Sequence, residues 1–200
     1  MKYTQSQLND ILENSDYGLI DFCCDDLSFL SFDGADLSGL RFDGAKLDGA
    51  KFCGTKLDFS SFGGASLVSS NFFEAKTNNT NLSGANLAGS NLLDANLDGA
   101  ILKGANLSNT KLWGCMGNSQ QIMTILIFTG YPITYTSDRL QIACKNHPIS
   151  EWWEFDDKDI LKMGGKMSLK FWRKNKDLIR QIVEQRPAQP TGHEGKETNQ

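Results

Sequence analysis

The feature that most constrains this chain is a five-residue period that runs from Phe22 to Leu112. Every fifth position there is Leu or Phe in 18 of 19 cases, with Thr77 the exception. The position two residues earlier holds only Ala, Ser or Thr between Ala35 and Thr110, apart from Leu40. A period of five matches neither a helix nor a strand, so neither element can bury both sets of residues. A chain that turns a corner every five residues can bury both.

Four such sides close a square coil of 20 residues, and stacked coils lie about 4.8 Å apart. Glycine fills 11 of the 19 positions that follow the large residue by two, where the corners are expected. Leu and Phe alternate strictly from Phe22 to Phe72, which predicts two aromatic columns on opposite walls of the core. The same register stacks opposite charges on adjacent coils, each pair contributing about 0.2–1 kcal/mol. The predicted pairs are Asp21 with Arg41, Asp26 with Lys46, and Asp36 with Lys56.

Stretches such as GADLSG, GAKLDG, GANLAG and DANLDG resemble the pentapeptide-repeat family, whose pattern is A(D/N)LXX. The resemblance implies a mainly β fold, a right-handed quadrilateral β-helix of just under five coils. The run Lys76-Thr77-Asn78-Asn79-Thr80 departs from the pattern. We expect Thr77 to be a tolerated polar residue of the core. The alternatives are a polar pocket and a local bulge.

Four regions follow from the change in pattern along the chain. We predict an N-terminal cap helix over 1–19, the pentapeptide-repeat solenoid over 20–115, a small α+β domain over 119–185 and a disordered tail over 186–200. Thr4-Gln5-Ser6-Gln7 matches a capping box, and Leu8, Ile11 and Leu12 form an apolar stripe on the helix that would cover the first coil.

The segment after the period ends predicts short strands and then helices. The strands are expected over Ile122–Phe128, Ile133–Thr136 and Arg139–Cys144, with a turn at 129–132. Ser150 is the predicted cap of a first helix, and Asp156 or Asp157 of a second that ends at Gly164-Gly165. A last helix is expected from about Met167 to Gln185. The stretch TGYPITYTSDRLQIACKNHPISEWWEFDD resembles a module of phage and prophage proteins of unknown role, which implies a phage-linked gene.

Composition bounds the partners and the compartment. A net charge of -4 argues against a chain that binds nucleic acid or membranes over its whole surface. Five cysteines without a CxxC pair predict reduced thiols, the N-terminus lacks the apolar core of a signal peptide, and no apolar run is long enough to span a bilayer. These features predict a cytoplasmic protein.

Residues that could perform chemistry are few. His193 lies in the predicted tail, so the only candidate nucleophile and base are Cys144 and His147, and the same two residues fall short of the three or four ligands of a metal site. The acids between Glu151 and Asp159 lack the spacing of a calcium loop and fit helix starts. We therefore expect no catalytic residues, no metal and no cofactor.

Two groups of surface residues could instead contact partners. Phe73, Leu93 and Trp113 are 20 residues apart, which stacks them as an exposed apolar column. The terminal domain, a second copy of the chain or a foreign protein could cover that column, so the protein could be a monomer or a homodimer. The last helix also has a basic face, composed of Lys170, Arg173, Lys174, Lys176 and Arg180.

Three functions remain open at this stage. The leading hypothesis is a non-enzymatic scaffold that binds another protein. The first alternative is a DNA-mimicking modulator of DNA gyrase or topoisomerase, because the resemblance includes quinolone-resistance solenoids that imitate duplex DNA. The solenoid carries 11 acidic and 7 basic residues between Ile20 and Cys115, which makes its surface mixed rather than uniformly acidic. The second alternative is an adaptor that binds nucleic acid through the basic helix face.

Overall fold

The computed structural model describes residues 2–14, 20–118, 122–125, 133–143 and 145–191. In the repeat region, the chain forms parallel β-bridges between residues 20 apart, from Asp21↔Arg41 to Asn96↔Met116. Backbone hydrogen bonds follow the same spacing: Phe42 N donates to the Ser61 carbonyl at 2.7 Å, and Ser61 N donates to the Leu40 carbonyl at 2.9 Å. Each coil therefore supplies the hydrogen-bond partners of the next, as the five-residue period predicted.

Two columns of stacked phenylalanines fill the first half of the solenoid core. Phe52 stacks between Phe32 and Phe72 with ring centroids 4.9 and 4.8 Å away. Phe42 stacks between Phe22 and Phe62 at 5.3 and 4.7 Å in the other column. The columns meet edge to face, for example Phe52 with Phe62 at 5.9 Å, which is a favourable arrangement for aromatic quadrupoles.

Thr77 is the one polar residue among the large inward positions, and it is 1 % exposed. Its Oγ1 donates to the Asn96 carbonyl at 2.6 Å, and its backbone N–H donates to the same carbonyl at 2.9 Å. The hydroxyl is thus satisfied within the wall, which confirms the expectation of a tolerated polar core residue.

Corner residues adopt the left-handed conformation, and most of them are glycines. Phe29 and Phe59 occupy two corners with φ of +65° and +62°. The Phe29 ring lies over Gly49 of the next coil, where an added Cβ would be 2.6 Å from the ring Cδ1. Glycine at this corner therefore serves both its own backbone angle and the side chain that leans over it.

The N-terminal end of the solenoid is covered by helix α1, Gln5–Asn14. Its capping box forms as predicted: Thr4 N donates to Gln7 Oε1 at 2.9 Å, and Gln7 N to Thr4 Oγ1 at 3.3 Å. Leu8 is fully buried against the core. The Gln5 amide pairs with the open edge of the first coil, accepting from Ser31 N at 2.8 Å and donating to Ser31 O at 2.9 Å.

The C-terminal region contains an antiparallel sheet in the order β1-β2-β3-β4. Its strands are β1 Met123–Ile125, β2 Ile133–Tyr135, β3 Arg139–Ile142 and β4 Lys145–Pro148. The sequence patterns predicted the first three, although β3 ends at Ile142 and Ala143 lies outside it. They did not predict β4, because its residues Lys-Asn-His-Pro carry little strand signal. The predicted turn at 129–132, residues 126–128 of the first predicted strand and Cys144 lie outside the described residues.

Two helices follow the sheet, α2 Ile149–Glu154 and α3 Asp157–Gln185. The prediction that Ser150 caps α2 is wrong, because Pro148 is the N-cap residue and Ser150 lies inside the helix. Proline is tolerated at a helix start because its missing N–H would have no partner within the helix there. Asp156 caps α3 in a capping box with Asp159. Non-helical angles at Gly164 and Gly165 divide α3, where the sequence predicted a break between two helices.

A second hydrophobic core joins the sheet to these helices, separate from the solenoid core. Trp152 and Trp172 meet in it at 5.3 Å, and the Trp152 indole N–H donates to the Leu140 carbonyl. The first residues of the predicted tail also pack here. Ala188 is 5 % exposed, and the Tyr135 hydroxyl donates to Arg186 O at 2.7 Å.

Candidate functional site

The predicted apolar column lies on one face of the solenoid. Phe73, Leu93 and Trp113 each follow an inward residue of that face by one position, on three successive coils. Phe73 and Leu93 are half-buried, and Trp113 is 38 % exposed. The side chains of Phe73 and Leu93 are thus less exposed than that of Trp113.

A ladder of asparagines fixes the backbone beneath this column. Asn71 and Asn91 accept hydrogen bonds through Oδ1 from the backbone N–H groups of Phe73 and Leu93, both at 3.2 Å. Asn91 Nδ2 also donates to Asn71 Oδ1 at 2.8 Å, which ties one coil to the next. The backbone beneath the column is therefore already ordered, so binding a partner would cost little conformational entropy there.

The C-terminal domain contacts the last coil at its open end. Gln141 Oε1 accepts from the buried Leu112 N–H at 2.9 Å, and Asn146 Nδ2 donates to Thr110 O at 3.3 Å. Asn118, which leads into the domain, donates from Nδ2 to the Ala100 carbonyl at 2.9 Å. These bonds satisfy backbone groups that the missing next coil would otherwise pair. Trp113 keeps its exposed surface although the domain is docked.

Sequence reasoning missed further exposed apolar residues. Ile101 and Met116 are 52 and 55 % exposed, and they occupy positions on the last coils where the pattern usually has Asp, Lys, Asn or Ser. Phe29 and Phe59 are 79 and 70 % exposed at their corners. An apolar residue at a normally polar position of the repeat was the available signal.

The basic face of α3 is partly neutralised by its own domain. Arg173 forms an ion pair with Asp157, Arg180 pairs with Glu184 at 2.9 Å, and Lys176 Nζ donates to Trp153 O at 2.8 Å. Lys176 and Arg180 also lie over the Trp172 and Trp153 rings, 5.5 and 5.7 Å from the centroids. Lys170 and Lys174, with Arg173 and Lys166, line a shallow surface groove instead.

His147 lies in β4 and packs as a structural residue. Its ring contacts Trp152 and Phe155 edge to face at 5.5 and 5.0 Å, and Nδ1 is 3.4 Å from Glu151 Oε2. Cys144, its predicted partner, lies outside the described residues. Within the ranges that the structure describes, no group of three His, Cys, Asp or Glu side chains could hold a metal ion. No described helix is long and apolar enough to cross a bilayer.

Acidic side chains on the solenoid are bound to neighbouring coils. Asp36 pairs with Lys56 at 3.1 Å and Asp21 with Arg41 at 3.5 Å, as the register predicted. Hydrogen bonds from Ser38 and then from Lys56 hold the pKa of Asp36 below its usual value.

Asp43 and Asp48, each one residue after a large inward residue, also bind neighbouring coils, through backbone and hydroxyl donors. Asp43 accepts from Ser61 Oγ at 2.5 Å and from Gly63 N at 2.8 Å, and Asp48 accepts from Val68 N at 3.0 Å. These carboxylates join coils, so they are less available to an external partner.

Comparison with known proteins identifies the repeat region. The family model described as pentapeptide repeats matches residues 26–58 and 78–114 in 8 copies. No curated protein matches the chain. The resemblance of the C-terminal segment to phage modules gains no support, since the family match covers solenoid residues alone.

Several solved structures are similar over the solenoid. A pentapeptide repeat protein from the Arabidopsis thaliana thylakoid lumen is 30% identical, with 51% of this chain and 70% of that chain covered and a TM-score of 0.47. Rfr23, a pentapeptide repeat protein from the cyanobacterium Cyanothece 51142, is 32% identical, with 46 and 59% covered and a TM-score of 0.37. QnrB1, a plasmid-mediated fluoroquinolone resistance protein, is 18% identical, with 46 and 53% covered and a TM-score of 0.32.

These likenesses differ in weight. The TM-scores are low, and QnrB1 at 18% identity concerns the fold alone. The chain spans less than two thirds of the length of Rfr23 and QnrB1. The eight matches of the family model within the solenoid carry the assignment. The repeat region of this chain belongs to the pentapeptide-repeat family.

Proposed function

We propose that this protein is a non-enzymatic scaffold that binds another protein through the column Phe73, Leu93 and Trp113. The observation that carries the proposal is Trp113, which stays 38 % exposed at the top of the column while the C-terminal domain is docked on the same coil. Proteins of this family are generally structural or binding proteins. Exposed apolar surface with a rigid backbone is typical of a binding site.

The surroundings of the column indicate the chemistry of the partner. Glu74 and Asp94 occupy the corners next to Phe73 and Leu93, and both are exposed. A large aromatic residue such as Trp113 is a common anchor of protein interfaces. We therefore expect a partner that presents an apolar ridge flanked by lysine or arginine.

A matched pair of substitutions tests this proposal. Trp113→Asp places a charge on the column, whereas Ser108→Asp places it at the equivalent exposed position of the neighbouring face. Quantitative capture from a host extract should retain the same protein on the wild type and on Ser108→Asp, and lose it on Trp113→Asp. Identical capture by all three, with circular dichroism showing intact folds, contradicts the proposal. Sedimentation of the purified chain shows whether the partner is a second copy.

The gyrase-directed DNA mimic is the weaker alternative. Duplex DNA presents free negative charge along its whole length, but Asp21, Asp36, Asp43 and Asp48 are engaged between coils. A supercoiling assay with purified gyrase separates the hypotheses. The scaffold proposal expects neither inhibition nor protection from quinolones at micromolar protein.

The nucleic-acid adaptor is supported only by the groove of Lys166, Lys170, Arg173 and Lys174. Three of the five residues predicted for that surface have partners in their own domain. A gel shift that weakens with salt and disappears on charge reversal at Lys170 and Lys174 would favour the adaptor over the scaffold.

The handedness, the number of coils and the domain boundaries are also part of this proposal. We infer a right-handed solenoid over 20–115, because the family resemblance implies that hand, with about 4.8 coils of 20 residues between the bridged residues Asp21 and Met116. The boundaries at 1–19, 20–115 and 119–185 are part of this proposal; two hydrophobic cores support a division between solenoid and C-terminal domain, although Leu8 and Ile122 pack in the first core and Ala188 packs in the second. Cys23, Cys24 and Cys53 are free thiols, which supports a reducing compartment such as the cytoplasm. A phage-linked origin stays a prediction.

A further inference from the structure

The C-terminal domain contains an apolar cavity of about 150 Å³ that the solenoid column does not involve. It lies between Ile142 of β3, Trp152 of α2, and Met163, Phe171 and Trp172 of α3. Four of these five side chains are 3 to 8 % exposed, so they belong to the core and nevertheless leave a space unfilled. Protein cores contain few voids larger than a water molecule. This space is partly open to solvent, so a small molecule could enter it from the surface.

A break in the backbone of α3 lies at the edge of the cavity. Gly164 and Gly165 interrupt α3 at its edge, and Gly165 has φ of +72°, which favours glycine. A Cβ at Gly164 would be 2.2 Å from Ser168 Oγ, whose hydroxyl donates to the Gly164 carbonyl at 3.1 Å. The break turns the two parts of α3 away from a continuous line, so side chains from both parts face the same space.

The lining also defines the chemistry of an occupant. Aromatic and aliphatic side chains form most of the wall, and the cavity has the size that accommodates a single benzene ring. Lys145 of β4 and Ser168 are the polar side chains on it. The Lys145 ammonium is a donor for an anionic group, and bound carboxylates are common partners of such groups.

We propose that this cavity is a binding site for a small aromatic monocarboxylate. The ring occupies the space among Trp152, Phe171 and Trp172, and the carboxylate accepts a hydrogen bond from Lys145. The ring supplies the burial and the lysine selects the anion over a neutral molecule of the same shape. The site is independent of the column and of the function proposed for it.

The probe for this site is 4-fluorobenzoate, with 4-fluorobenzyl alcohol as the neutral analogue of the same size. Fluorine NMR of the full chain should show saturable binding of the benzoate with a Kd on the order of 1 mM, which is ordinary for so few atoms. The indole N–H signals of Trp152 and Trp172 should move with the same affinity, while that of Trp113 should not.

Two variants and one control identify the site. Ser168→Leu fills the space and should abolish binding of both probes. Lys145→Gln should weaken the benzoate about five-fold and leave the alcohol unchanged, since a rim charge is partly screened by solvent. Lys166→Gln, an exposed lysine of α3 outside the cavity, should change neither affinity.

Three results would overturn the proposal: no saturable binding to the wild type, undiminished binding to a folded Ser168→Leu, or a benzoate affinity that Lys145→Gln does not alter. Circular dichroism and thermal unfolding check the fold of Ser168→Leu. If that variant does not fold, the Lys145→Gln comparison with the two probes decides the outcome alone.

Discussion

The solenoid and the C-terminal domain bury their apolar side chains in opposite ways. In the first half of the solenoid an inward residue packs against a residue of the same type 20 positions away, as in the Phe32, Phe52 and Phe72 column. In the domain each buried residue has surroundings of its own: Trp152 contacts His147, Phe155 and Trp172 at different angles. The repeated arrangement stacks its rings about 4.8–4.9 Å apart, whereas the irregular one borders a cavity.

The two ends of the solenoid solve one physical problem with similar chemistry. An open end exposes backbone donors and acceptors that a further coil would pair. At the first coil, the Gln5 amide pairs with both backbone groups of Ser31, and at the last coil Gln141 accepts from Leu112 N. At each end, a side-chain amide thus makes hydrogen bonds that the peptide groups of a further coil would otherwise make. The repeating solenoid therefore depends on helix α1 and the C-terminal domain to terminate it.

The largest expected effect is the loss of an aromatic ring from the repeated core. Phe52→Ala should lower the free energy of unfolding by about 3–5 kcal/mol, because the cavity opens between four stacked or edge-packed rings. Phe59→Ala removes the same side chain from an exposed corner and should change stability by less than about 0.5 kcal/mol. Urea denaturation measures both. Equal losses would show that position in the repeat does not set the energetics.

A smaller effect is expected where the two regions meet. Gln141→Ala leaves the Leu112 N–H without its acceptor in a buried site and should cost about 1–3 kcal/mol. Cys115 is 1 % exposed, so its reaction with a thiol reagent under native conditions reports opening of this end. We expect Gln141→Ala to speed that reaction, and the exposed Gln181→Ala to leave it unchanged. Labelling at the wild-type rate would mean that the amide bond does not hold the end closed.

Alkaline conditions should weaken the same end through Cys115 itself. Burial raises the pKa of the Cys115 thiol to about 12, whereas the unfolded chain has the ordinary thiol value near 9. The contribution of the protonated thiol to the free energy of unfolding is fully present below pH 9 and is lost as the pH rises toward 12. The loss at pH 10 is about 1.4 kcal/mol. Cys115→Ala should abolish that part of the alkaline loss, and Cys24→Ala should retain it. Denaturation at pH 7 and pH 10 compares the variants.

The smallest effect belongs to the surface ladders. The pKa of Asp36 is lowered by Ser38 and Lys56, so its contribution is present above about pH 4 and is lost as the pH falls further. Because both partners are more than half exposed, their coupling should be no more than about 1 kcal/mol. A double-mutant cycle of Asp36→Asn and Lys56→Gln at pH 7 measures it. A coupling that does not fall at high salt would contradict a screened surface pair.

The sequence predicted the solenoid more completely than the C-terminal domain. The inward columns, the charge register and the Thr4 capping box were predictable because each depends on residues at fixed separations. The strand Lys145–Pro148 was not, because it exists only as the partner of β3. Ser150 was a poor choice of cap, since the chain leaves β4 directly into α2 at Pro148. Of the predicted basic face, three residues turned out to serve contacts within the domain.

The five-residue period was enough to predict the solenoid and to place Phe73, Leu93 and Trp113 in one column on successive coils, because a chain that turns every five residues buries two of them and pairs its backbone with the next coil. Three features became visible only in the three-dimensional structure. They are the docking of the C-terminal domain on the last coil, the exposure of Trp113 and the cavity beside the Gly164-Gly165 break. Those features arise from contacts between residues far apart in the chain. No fixed spacing records such contacts.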